Sequence, residues 1–86
     1  MSRMYELTPQ YDAKQSFYGK AHVIEDENGS TLQSYSTEVA RYTMDGEFII
    51  KSFYSATTTR HIKEFAKQMG IEFENKKDLE QYLGDW

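Results

Sequence analysis

No cysteine occurs in the 86 residues, which excludes a disulfide scaffold, thiol chemistry and cysteine-ligated metal, and suits a reducing compartment. No apolar run approaches the roughly 20 residues that span a bilayer, and the N-terminus lacks the apolar core of a signal peptide. A soluble, cytoplasmic protein that keeps clear of membranes is therefore expected. Basic side chains are also scarce, 10 against 14 acidic ones for a net charge of −4. That balance argues against a dedicated polyanion binder and favours a basic protein partner.

What the chain does have is rings. Seven Tyr, five Phe and one Trp make 15% of the residues aromatic, within a hydrophobic share of 38%. Large rings must carry much of the core and leave polar tips at its boundary. A chain of this length has room for one domain, residues 1–86, with one modest core.

Residues 3–7 form a candidate short strand that Pro9 ends, since proline cannot donate to a sheet ladder. From Ser16 to Ile24 the pattern alternates, with Phe17, Gly19, Ala21 and Val23 on one side and Tyr18, Lys20, His22 and Ile24 on the other. Glu25 to Ser30 reads as an exposed hairpin loop around Asn28-Gly29. Thr31 to Met44 is strand-like and long, and its apolar phase changes near Val39-Ala40, the mark of a bulge. Asp45-Gly46 gives a two-residue turn into a strand over 47–54.

A helix over about 58–69 places Ile62, Phe65, Ala66 and Met69 on one stripe, with Thr57 or Thr58 as cap, Glu64 supporting Lys67, and Gly70 as left-handed stop. Asn75 caps a second short helix, docked by Leu79, Tyr82 and Leu83. The fold class is α+β: an antiparallel meander of three to four strands, packed by a C-terminal helix and a second short helix.

The junction Tyr54-Ser55-Ala56-Thr57-Thr58-Thr59-Arg60-His61 gathers hydroxyls, a guanidinium and an imidazole where a helix exposes unpaired N–H groups. It predicts an anion or protein contact through Thr57, Thr58, Arg60 and His61. Tyr18 and Tyr35 join them as aromatic anchors. Arg60, Lys63 and Lys67 recur near helical spacing and offer an alternative, nucleic-acid contact, similar to the use of a helix start in double-stranded-RNA-binding domains.

Histidine is the residue type that ordinarily titrates near neutrality, yet neither His22 nor His61 has a nucleophile or orienting carboxylate at motif spacing, so the chain reads as non-enzymatic. Glu25, Asp26 and Glu27 lack the ligand pattern of a calcium loop, and neither metal nor cofactor is expected. The acidic residues Glu72, Glu74, Asp78, Glu80 and Asp85 offer negative charge to a basic groove. If several tyrosines line the uncovered sheet face, protein binding or a homodimer becomes the natural account.

Three segments carry a resemblance: Ser16-Phe17-Tyr18-Gly19-Lys20-Ala21, then Leu32 to Val39, then Tyr54 to Phe65. Together they resemble small uncharacterised proteins from phages, prophages and plasmids of Gram-positive bacteria. The resemblance implies a mobile-element protein in the cytoplasm of a bacterial host. It also implies a stoichiometric inhibitor, in the manner of anti-CRISPR proteins that present carboxylates to basic nucleic-acid-binding proteins.

Overall fold

Short turns and alternating apolar residues make the first half of the chain a sheet. The computed structural model describes residues 3–12, 17 and 19–85. Among these, β1 (Arg3–Glu6), β2 (Ala21–Asp26), β3 (Gly29–Ser34), β4 (Thr37–Thr43) and β5 (Phe48–Ile50) form one antiparallel sheet in sequence order. Helix α1 (Ala56–Gln68) follows, then α2 (Lys76–Leu79), which runs into a 3-10 turn at Glu80–Tyr82. The fold is α+β, a meander covered on one face by a helix and a short second helix.

The strand expected from residue 16 begins only at Ala21. Ahead of it, Lys20 N–H donates to the Phe17 carbonyl (3.0 Å) and Gly19 takes φ +73°, so the chain turns there. The expected contact residue Tyr18 lies outside the described residues.

The span 31–44 is two strands, because Tyr35, at φ +58°, and Ser36 make a tight turn between them. The bulge expected near Val39-Ala40 is present. Leu32 faces Ala40 while Gln33 faces Glu38, which leaves Val39 as the extra residue, and Val39 and Ala40 are both buried.

At the first hairpin the turn is Glu27-Asn28, and Gly29 already belongs to β3 opposite Thr43. A Cβ on Gly29 would lie 2.2 Å from the Tyr42 carbonyl oxygen, so only glycine allows this close approach. The Asp45-Gly46 turn is one residue longer than expected. Thr43 N–H bonds to the Glu47 carbonyl across Met44, Asp45 and Gly46, and Gly46 has φ +88°.

Register assigns the faces. Tyr5, Val23, Leu32, Ala40 and Ile50 point to the covered side, and Met4, Ile24, Thr31, Arg41 and Ile49 to the bare one. Tyr5 and Tyr42 both pack against the core, so the tyrosines of the described strands are not on the bare face, and that route to a homodimer loses its premise.

Helix α1 lies over β3 and β4, with Ile62, Phe65 and Ala66 fully buried and Met69 half-buried. Burying side chains of the size of Ile62 or Phe65 contributes roughly 1.5–3 kcal/mol each. Ser55, two or three residues before the expected threonine caps, closes the start of α1 by accepting from Thr58 N–H at 3.1 Å. At the other end Gly70 (φ +84°) is the left-handed stop. Ile71 N–H reaches the Ala66 carbonyl and Gly70 N–H the Lys67 carbonyl, a Schellman pair.

Asn75 caps α2 by accepting from Asp78 N–H, and Leu79 is buried beneath it. Leu83 does not dock as expected. It stays 48% exposed, while its backbone runs parallel to Ile50 and Gly84 N–H bonds to the Ile50 carbonyl at 2.9 Å. No helix of the described residues is long and apolar enough to cross a membrane.

Candidate binding groove

The expected contact residues at the start of α1 are pulled in different directions. His61 and Thr58, expected as contact residues, are buried. The helix stripe at Ile62 and Phe65 turns both toward the sheet, where Ser34 of β3 meets them. Ser34 Oγ lies 2.8 Å from His61 Nδ1 and 3.0 Å from Thr58 Oγ1, and Ser55 Oγ donates to Thr58 Oγ1 at 3.2 Å. Phe17 packs edge-on against the imidazole with centroids 4.6 Å apart. Ser34, Thr58 and His61 are buried, and their hydrogen bonds fasten α1 to β3. Thr57 remains exposed, and Tyr35 is half exposed above His61, with Lys20 Nζ 5.8 Å from its ring centroid.

Arg60 is also engaged. Its Nε and Nη2 donate to the two carboxylate oxygens of Asp12, a bidentate pair that leaves the guanidinium fixed and partly exposed. The Asp12 hydrogen bond raises the Arg60 pKa above its ordinary value.

Glu64 carries the largest difference from the sequence reading, in which it supported Lys67 on the surface. It is buried, and its carboxylate accepts from the backbone N–H groups of Gln10 (2.9 Å), Tyr11 (2.9 Å) and Asp12 (3.0 Å). Gln68 Nε2 donates to the same carboxylate and to the Thr8 carbonyl. A carboxylate has about four lone-pair sites, and here four donors occupy them. Arg60, Glu64 and Gln68 thus form a row that clamps the 8–12 loop to α1. Their spacing of four residues was the available signal, but the loop they hold has no periodicity of its own.

On the outward side of α1 an open groove of about 760 Å³ runs between the 52–55 segment, α1 and the C-terminal turns. Phe53, Ala56 and Leu83 supply its apolar lining, Tyr54 an exposed ring, and Arg60, Lys63 and Lys76 its charges. Tyr54 is held at φ +38° where the chain leaves β5 for the helix. Lys76 Nζ sits 4.9 Å from the Phe53 ring centroid. Among the described residues Lys63 and Lys76 form no ion pair, and no acidic side chain lines this groove.

A smaller hollow of about 220 Å³ adjoins it through Arg60 and Lys63. Lys67, Tyr11, Asp12 and Glu64 complete it, so the three cations of the nucleic-acid reading do meet there, beside two carboxylates. Lys67 Nζ lies 5.9 Å from the Tyr11 ring centroid and 5.5 Å from that of Phe73. Lys76 and Leu83 were missed from the sequence as contact residues, since a helix start and a C-terminal bridge bring them from separate segments to Tyr54 of the expected junction. No group of three or more His, Asp or Glu residues among the described ones gathers in a way that would hold a metal ion.

Neither the curated proteins nor the solved structures contain a match to the chain. Residues 5–81 match a family of unknown function, DUF8033. That span takes in the second half of β1, all of β2 to β5, the clamp and all of α1, and the chain belongs to this family.

Proposed function

We propose that the protein is a non-enzymatic interaction module of a phage or other mobile element, which engages a protein partner through the groove beside α1. Its most concrete form is stoichiometric inhibition of a host or defence factor in the bacterial cytoplasm. One observation carries this reading: in a chain with net charge −4, three cations, an exposed tyrosine and exposed apolar surface line one groove to which no acidic side chain of the described residues contributes. Such a mixture of a ring, fixed and unfixed cations and uncovered apolar area suits protein recognition. The groups with catalytic potential support the same reading, because His61 is hydrogen-bonded to Ser34 and Glu64 to the 8–12 loop.

A photocrosslinking amino acid at position 54, in a bacterial cell expressing the full chain, tests it. A covalent adduct with a defined protein, absent when the crosslinker replaces the bare-face Met4, is expected. Loss of that difference would overturn the reading. The second reading, nucleic acid held by Arg60, Lys63 and Lys67, draws on the smaller hollow. It requires a gel shift at low salt that fades steeply as salt rises.

A further inference from the structure

Taking the interaction reading as its base, we infer that the groove accepts an acidic, extended segment of the partner, with one aromatic or aliphatic side chain seated on Phe53 and Leu83. The argument is charge complementarity together with an uncovered apolar floor. Net charge alone favours a basic partner, but the 14 acidic residues contribute none of the groove's lining, whereas three of the 10 basic ones do.

The three cations are prepared to different degrees. Arg60 is oriented by Asp12 through Nε and Nη2, and its remaining N–H donors stay available for a carboxylate. Among the described residues Lys63 and Lys76 have no ion pair that an arriving carboxylate would have to displace. Acidic-motif recognition by convergent cations commonly works this way.

The apolar part supplies the anchor. Leu83 is 48% exposed and Tyr54 62% exposed, and they line the same depression as the buried Phe53. A side chain laid between Tyr54 and Leu83 gains burial beside the Lys76 ammonium that sits over the Phe53 ring. Acid alone would therefore bind weakly, and so would an apolar segment without acid.

Four probes test this against 15N-labelled protein by amide shift perturbation and fluorescence anisotropy: an Asp/Glu-rich peptide with a central Phe, the same peptide with Ala there, a Lys-rich peptide with Phe, and oligothymidylate. The acidic Phe peptide should move the amides of Tyr54, Ser55, Thr59 and Lys63. The Ala version should bind several-fold more weakly. Lys63→Glu combined with Lys76→Glu should weaken binding on the order of tenfold while leaving the rest of the spectrum in place.

No response to the acidic Phe peptide, or a Lys-rich peptide that binds as well, would overturn the inference. So would oligothymidylate binding more tightly than any peptide. If the position-54 crosslinker still yields its protein adduct while the peptides fail, the acidic segment is wrong and the interaction module stands. If the adduct is also missing, both fall.

Discussion

Along one border of α1, Arg60, Glu64 and Gln68 face the 8–12 loop. On its outward side Ala56, Thr59 and Lys63 face the groove, with Tyr54 and Lys76 across from them. Both flanks are polar, both carry charge, and they belong to the same four turns of helix. On the first flank every lone pair of the Glu64 carboxylate has a donor, and the guanidinium has its aspartate. On the second, the ammonium groups have no acidic partner among the described residues. Charge that is fully paired inside a protein maintains its shape, and charge left unpaired at a concave surface is available to another molecule. The type of residue does not separate the two flanks; the bonding does.

The sharpest way to break that contrast is Glu64→Gln. The side chain keeps its shape, but one oxygen becomes a donor aimed at backbone donors, so a loss of about 3 kcal/mol is expected in chemical denaturation. Hydrogen exchange at the amides of residues 10–12 should quicken with it. A loss below about 1 kcal/mol would mean that the clamp does not hold the loop.

Ser34→Ala comes next. It removes the hydroxyl between His61 and Thr58, and about 1–2 kcal/mol should be lost, because the buried imidazole nitrogen is left without that hydrogen bond.

On the other flank, Lys63→Ala with Lys76→Ala should change stability by less than about 0.5 kcal/mol. The same variant should lose most of the adduct formed at position 54. A large drop in stability would show that these lysines are structural, and the contrast would collapse.

The smallest effect concerns Tyr5, whose phenol is raised from its ordinary value of 10.0, first by burial and then by the charge of Glu25. A folded-state value above the unfolded one means that the fold favours the neutral phenol. That contribution is present below pH 10 and is lost as pH rises through the folded value. An ultraviolet titration should therefore find a phenol of the folded protein that ionises late, above pH 10, and Tyr5→Phe should remove that step.

Patterns that repeat along one element were legible in the sequence. The stripe of Ile62, Phe65 and Ala66 placed α1 and its buried face, the change of phase at Val39-Ala40 revealed the bulge, and Asn75 marked the start of α2. Turns were harder, because Tyr35 adopts a left-handed conformation that its residue type does not advertise, and one long strand became two. The site was the least legible part. Arg60 and His61 are neighbours in sequence, but successive residues on a helix diverge by about a quarter turn. Arg60 therefore opens onto the groove while His61 passes under it. Glu64 looked like an ordinary surface residue because its donors come from a loop more than fifty positions away.

The parallel bridge between Ile50 and Leu83 has one last implication. The Ile50 carbonyl on the outer margin of β5 already receives the Gly84 N–H. A foreign strand arriving beside the groove would find that rung of the ladder taken and could not extend the sheet from there. A partner that settles against Tyr54 and Lys63 finds that acceptor already taken, so more of its selectivity falls to the side chains of the groove, which can change one at a time without reshaping the scaffold.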